Sequence, residues 1–216
     1  MINSYTDLVS DSKKLQVQQV WEGFEIVLNW ETRNKYRIMN AQGTPLAFAA
    51  EQSSGLAGTI LRQVLGHWRT FRIFIFNQQK QQILDLHFPF RWLFKALIVK
   101  TPQGKLIGTL EQRFSFIYKS FDVLDAHGIV LAKIKSPLWK MWTFNFHHGP
   151  RKLGNVQKVW AGVLGEFFTD KDNFEVNFDD PNLSPELKTL MLATCLMVDV
   201  VYFENNHKTS IVDNFT

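Results

Sequence analysis

Two kinds of side-chain grouping in this chain could do chemistry: oxygen donors suited to a hard cation, and aromatic residues mixed with basic ones. The donors lie in Asp170-Lys-Asp172-Asn-Phe-Glu-Val-Asn-Phe-Asp179-Asp180. Calcium takes about six to eight oxygens, and an EF-hand loop supplies them with acids at positions 1, 3 and 12 and a glycine at 6. Asp170 and Asp172 fit positions 1 and 3, whereas position 5 is Phe174, position 6 is Glu175 and position 12 is Pro181. Phe174, Val176 and Phe178 alternate as in a strand facing a core. The segment therefore reads either as a solvated strand and turn or as a weak calcium site through Asp170 and Asp172, completed by Asp179 or Asp180.

The aromatic-basic groups are three. Leu56, Ile60, Leu61, Val64, Leu65 and Trp68 recur at helical spacing, while Phe88-Pro-Phe90-Arg91-Trp92-Leu-Phe94-Lys95 and Pro137-Leu-Trp139-Lys140-Met-Trp142 are compact. Trp and Phe favour a membrane interface, and each Lys or Arg close to anionic lipid gains about 1 kcal/mol. Such loops also pack beneath the ends of a sheet, so packing stands beside membrane contact for each one. Leu61, Trp68, Phe88, Phe90, Arg91, Trp92, Phe94, Lys95, Trp139, Lys140 and Trp142 are the candidate lipid-contact residues. His147 and His148 are adjacent, so on a strand they face opposite sides and chelate poorly. There is no nucleophile elbow, phosphate loop, zinc spacing or nucleotide fingerprint. The expectation is a protein that is not an enzyme.

The elements that must position these residues are legible from periodicity. From Ser184 to Glu204 the chain is apolar on every side of a helix, with Ser184 as N-cap and Pro185 at the first helical position. A helix apolar all round must be enclosed. A bilayer-spanning helix needs roughly 20 mostly apolar residues; the apolar part of this run, Leu187 to Phe203, is shorter and contains Lys188 and Asp199, so the expectation is a helix buried in protein. Asp199 should then be hydrogen-bonded, paired or neutral, in a structural role rather than as a lipid or proton site.

Upstream, one hairpin pattern repeats. Tyr36 to Gly43 returns into Leu46-Ala-Phe48, Leu97 to Gly104 into Leu106–Leu110, and Phe121 to Gly128 into Val130–Ile134. Phe71–Phe76 returns through Ile83–His87 with Asn77-Gln-Gln-Lys80 at the turn, and a looser copy begins at Phe144. With Val156–Phe168 and Phe174–Phe178 these give about twelve strands, more than an open sheet usually carries without curling. Closure removes the edges. A barrel that wide cannot fill its lumen from the wall alone, and the all-apolar helix is a suitable filler.

Five collinear blocks then carry a family resemblance. They are Glu31-Thr-Arg-Asn-Lys35-Tyr36, Phe48-Ala-Ala-Glu51, Trp160-Ala-Gly162 followed by Glu166, Phe168-Thr-Asp-Lys-Asp-Asn-Phe174, and Val198-Asp199-Val-Val-Tyr-Phe-Glu204. From about Leu15 to Glu204 the chain resembles the phospholipid scramblase family. That resemblance implies a mainly β, tubby-like fold: a closed barrel of about twelve antiparallel strands around a hydrophobic C-terminal α-helix. It further implies association with phospholipid membranes, calcium-stimulated translocation of phospholipid between leaflets, and calcium at the acidic segment. The chain departs from the animal members in having neither their Pro-rich N-terminal extension nor their Cys-rich loops. The three aromatic-basic segments stand where those loops would fall.

The 216 residues suit one domain, expected as an arm at 1–14, a barrel with central helix at 15–204 and a tail at 205–216. A content of 45% hydrophobic and 20% charged residues is that of a folded protein. The single Cys195 suits a reducing compartment, and Met1 to Ser12 lacks a signal pattern. An intracellular protein follows, peripheral on the cytoplasmic face of the plasma membrane or in the cytoplasm. Net charge +4 favours an anionic phospholipid membrane as partner for a monomer, with nucleic acid as a weaker alternative and a non-transporting lipid-binding or regulatory module as the other functional reading.

Overall fold

The structure, a computed structural model, describes residues 2–20, 34–52, 70–90, 94–115, 118–137, 143–159 and 173–203. A short helix α1 (Tyr5–Val9) precedes strands β1 (Lys14–Val20), β2 (Lys35–Asn40), β3 (Pro45–Glu51), β4 (Phe71–Asn77), β5 (Gln82–Phe88) and β6 (Ala96–Lys100). Strands β7 (Leu106–Arg113), β8 (Tyr118–Asp125), β9 (Val130–Pro137), β10 (Thr143–His148), β11 (Arg151–Val159) and β12 (Asn173–Phe178) follow. Helix α2 (Pro185–Val198) ends the chain's described part and runs into a π-helical turn, Asp199–Phe203.

Each strand pairs antiparallel with its sequence neighbour, and β1 pairs with both β2 and β12, so the twelve strands close into a barrel. Period-two alternation decides which residues enter the lumen. Leu15 and Val17 of β1 face Val176 and Phe174 of β12, and all four are buried. Tyr36 and Ile38, Ala47 and Ala49, Ile73 and Ile75, and Phe144 and Phe146 continue the inner surface on other strands. The expected C-terminal helix lies among them: every described residue from Leu187 to Val201 is buried. Ser184 caps it as expected, its hydroxyl accepting the N–H of Leu187 at 3.2 Å.

Room for a helix about 10–12 Å across comes from small wall residues. At Gly108 a Cβ would stand 2.8 Å from Leu190 Cδ1, and at Gly154 2.7 Å from Met191 Cε. These contacts place α2 hard against β7 and β11.

The two ends of the barrel differ. At one end the even-numbered strands hand over to the next strand through tight turns, and we call it the turn end. Asn40 Oδ1 accepts the N–H groups of Gln42 (3.0 Å) and Thr44 (2.9 Å), and Asp125 Oδ1 those of His127 and Ile129 (both 2.8 Å). Gly43 at φ 79° and Gly128 at φ 81° supply the left-handed residue these turns need; Lys80, at φ 64°, fills that place after β4. At the other, which we call the loop end, strands β1, β3, β5, β7, β9 and β11 finish.

Two features differ from the sequence reading. Strand β11 begins at Arg151, earlier than the expected Val156, because Gly149-Pro150 closes a hairpin with β10; residues 160–172 lie outside the described part. The N-terminal arm also folds. Ser4 and Asp7 form a capping box for α1, which buries Leu8 and Val9 at the turn end, where α2 begins.

Candidate membrane-facing rim

Four large hydrophobic side chains are exposed among the described residues, and three of them are phenylalanines at the loop end: Phe90 (47%), Phe94 (42%) and Phe114 (69%). Phe90 and Phe94 flank the β5–β6 connection, and Phe114 follows β7. Singly they need no explanation; gathered at one end, they make an apolar rim, whereas the fourth, Ile129 (62%), stands alone in the β8–β9 turn at the other end. Basic residues accompany them. Arg113 is exposed and pairs with Asp122 at 2.8 Å, and Arg72, at the head of β4, lies 3.7 Å from Asp85.

Inside this rim the barrel wall turns polar. Lys119 occupies an inward position of β8, two residues before Phe121, and its Nζ lies 5.8 Å from the centre of the Phe144 ring. Lys95 shares the inward parity of Leu97 and Val99; its N–H donates to Gln112 Oε1 at 3.2 Å, and its carbonyl accepts the Gln112 N–H at 2.8 Å. Burial lowers both lysine pKa values, and the Lys95 charge lowers that of Lys119 further.

On the β2–β3 side of the mouth two acids are buried and hydrogen-bonded. Tyr36 donates to Asp199 Oδ2 at 2.7 Å, and Asn34 Nδ2 donates to Glu51 Oε2 at 2.7 Å. Gln19 in turn donates to Asn34 Oδ1 at 3.1 Å. Asp199 is thus a buried carboxylate at the start of the π-helical turn, hydrogen-bonded as the sequence required. Burial first, and the Asp199 charge second, push the Cys195 thiol pKa well up, so this cysteine is no nucleophile. The other charge of the helix, Lys188, sits near the turn end and donates to the carbonyls of Val9 (3.2 Å), Ser10 (2.8 Å) and Ser12 (3.2 Å).

The sequence-derived lipid-contact residues divide. Phe90, Phe94 and Lys95 are at the loop end as described. Phe88 is a correction: it is 3% exposed, and its ring stacks on Phe71 with centroids 4.6 Å apart, so it is core and touches no surface. Leu61, Trp68, Arg91, Trp92, Trp139, Lys140 and Trp142 lie outside the described residues. The strands that bracket them end at the loop end: β3 and β4, β5 and β6, β9 and β10.

Of the four candidate calcium ligands, Asp179 and Asp180 lie among the described residues. Asp170 and Asp172 lie outside the described residues, but Asp172 immediately precedes Asn173, which opens β12 at the loop end. Asp179 and Asp180 follow β12 at the turn end. Both are engaged there. Asp179 pairs with Lys152 at 2.7 Å, and Asp180 pairs with Arg151 and accepts the Asn182 N–H at 2.9 Å. Among the described residues no group of three or more His, Cys, Asp or Glu side chains could hold a metal ion.

Phe114 and Lys119 escaped the sequence reading. Phe114 sits in a short connection with no Trp to mark it. Lys119 carried a signal in its spacing from Phe121 and Val123, which places it on the inner face.

Residues 2–205 match the family model for Scramblase. The chain is 25% identical over 213 residues to human Phospholipid scramblase 1, covering 92% of this chain and 65% of that protein. To bovine Phospholipid scramblase 2 it is 24% identical over 208 residues, covering 88% of this chain and 68% of that one. The chain thus spans about two thirds of the length of these relatives. A solved structure of an Arabidopsis thaliana protein aligns at a TM-score of 0.48 and 14% identity, over 92% of this chain and 99% of that one.

Proposed function

This chain belongs to the Scramblase family, and on that basis we propose that it is a phospholipid scramblase-like protein that docks on anionic phospholipid membranes by its loop end. The observation that carries the docking is the gathering of Phe90, Phe94 and Phe114 at that end. Phenylalanine gains from leaving water at the acyl boundary, and neighbouring Lys and Arg gain from the negative surface potential. The orientation follows: loop end toward the bilayer, turn end away. A cytoplasmic leaflet, rich in anionic lipid, is the surface this chemistry fits.

Two experiments test it. Co-sedimentation of the full chain with vesicles of phosphatidylcholine and phosphatidylserine should show binding that falls at least about tenfold in F90A/F94A/F114A, given the transfer energy of a phenylalanine side chain. No binding by the wild type, or equal binding by the triple variant, overturns the docking. In the same vesicles, fluorescent phospholipid should equilibrate between leaflets, faster with calcium. The calcium dependence should survive D179N/D180N, since both carboxylates are already paired with Lys152 and Arg151; its loss in that variant would refute this assignment of their role.

A further inference from the structure

The N-terminal arm is held at the turn end by side chains of the barrel and its helix, and the buried polar ones address its main chain. Asn77, fully buried in β4, donates from Nδ2 to the Ile2 carbonyl at 2.9 Å. Lys188, 7% exposed near the start of α2, donates to the carbonyls of Val9, Ser10 and Ser12. Recognition of the arm's side chains is mainly apolar: Leu8 and Val9 are buried in the barrel's own core, with Ile2 and Tyr5 packed against it. The Tyr5 hydroxyl adds one bond, to Glu186 Oε1 at 3.3 Å. Two buried donors that read carbonyls, set around a pocket for an adjacent apolar pair, are the parts of a peptide-recognition site.

We infer that the turn end of the barrel is a peptide-binding site, filled here by the chain's own residues 2–12, and that it accepts a like segment of another polypeptide when the arm is displaced. Helix α1 spans five residues, well below the roughly 12–15 that an isolated helix needs in water, so its fold depends on the surface it occupies. When it leaves, Lys188 loses these three carbonyls and Asn77 loses that of Ile2, while the pocket of Leu8 and Val9 opens to water. A ligand must restore both kinds of contact. That selects a short helical turn with two neighbouring apolar residues and free carbonyls at its carboxyl end. The short link from Ser10 to Lys13 joins the arm to β1 and holds it at an effective concentration of roughly millimolar, so a partner binds weakly until the arm is loosened. The site lies at the end away from the proposed membrane contact and does not depend on it.

The probe is a synthetic peptide of residues 2–13 labelled on the Lys13 side chain, which is exposed. Its binding to the full chain is read by fluorescence anisotropy, and each chain is checked by thermal melting. Leu8→Asp in the chain puts a charge at a position 1% exposed and so frees the chain's own arm, seen as faster hydrogen exchange in residues 5–12. The peptide should bind L8D at least about tenfold more tightly than wild type, because the open fraction of sites rises. K188M also frees the arm but removes the ammonium, and should show no such gain. A peptide that itself carries L8D should bind none of the three chains. Where L8D does not fold, L8A is the milder variant for the same comparison, with a gain of at least about threefold. Equal binding by wild type and by a variant whose arm is free would overturn the site. An equal gain in K188M, or uptake of the L8D peptide, would reduce the binding to non-specific contact and overturn it as well. An arm that stays protected in both Leu8 variants would refute its apolar anchoring.

Discussion

Replacing Lys188 with Met should detach the N-terminal arm without opening the barrel. The Lys188 side chain is 7% exposed, and its ammonium donates three bonds of 2.8 to 3.2 Å to the carbonyls of Val9, Ser10 and Ser12, at the carboxyl end of α1. Val9 also accepts the Ser12 N–H, so two of the three carbonyls depend chiefly on this lysine. A hydrogen bond to a charged group contributes roughly 1.5–3 kcal/mol, and Lys188 recovers in these bonds part of what it loses in hydration. Its Nζ also lies 5.3 Å from the Phe178 ring centre. Methionine keeps the packing volume and removes every polar term. The expected loss is about 3 kcal/mol, with a melting point lower by about 6–12 °C for a chain of this size. Because the loss is confined to the turn end, hydrogen exchange should speed up in residues 5–12 far more than in α2. A variant whose melting point moves by less than about 2 °C with the arm still protected would refute the view that one lysine ties the arm to the central helix.

Three further outcomes follow from the same geometry. Gly108→Val should cost about 1–3 kcal/mol or prevent folding, since even a Cβ there meets Leu190 Cδ1 at 2.8 Å and also the Leu124 carbonyl oxygen; a denaturant midpoint unchanged from wild type would contradict the placement of α2. Cys195, fully buried with its thiol pKa pushed up, should react with a thiol reagent only on unfolding, on free protein and on vesicles alike, and prompt labelling in native protein would contradict the enclosed helix. Lys95 and Lys119 have folded pKa values below the ordinary 10.5, so the unfolded chain binds more protons than the folded one in the alkaline range beneath that value, and stability contributed by these groups rises with pH there. The melting-point gain of K95Q/K119Q over wild type should therefore be largest near neutral pH and shrink as pH rises toward 10.5; a gain independent of pH would show that the two ammonium groups impose no charge cost.

The barrel was legible because its signals are local and repeated. Asn40 to Gly43 and Asp125 to Gly128 announce their turns with an acceptor side chain followed three residues later by glycine, and both hairpins form where expected. The helix was legible because Ser184, Pro185 and apolar residues on every side leave it one place to be. What stayed hidden depends on pairing across the barrel. Asp179 and Asp180 look like free ligands in a linear chain, but the strand pairing brings Lys152 and Arg151 of β11 against them. Phe88 looks like part of an aromatic rim motif, but its even position on β5, in step with Leu84 and Leu86, turns it inward onto Phe71. Lys188 and Asp199 looked like defects in an apolar helix; α1 and Tyr36 satisfy them from more than 160 residues away in sequence.

The division of polarity in this barrel bears on how it could handle lipid. A strand barrel that spans a bilayer carries an apolar outer band and a polar interior. Here the inner wall is Leu, Ile, Val and Phe packed on a buried helix, while the outer wall carries cross-strand ion pairs such as Lys14–Glu175 at 2.7 Å and Arg113–Asp122 at 2.8 Å, and exposed Lys133 and Lys135. A phospholipid headgroup crossing a membrane needs a polar path, and the axis of this barrel is filled from Leu187 to Val201 by a buried, largely apolar helix whose charges, Lys188 and Asp199, are hydrogen-bonded inside it. The polar groups that a headgroup could meet lie instead at the loop end, where Lys95, Lys119, Glu51 and Asp199 ring the point at which the helix gives way to its π-helical turn. On the docking proposed above, lipid would meet the barrel at its loop end and pass outside it, because the axis is filled by the helix.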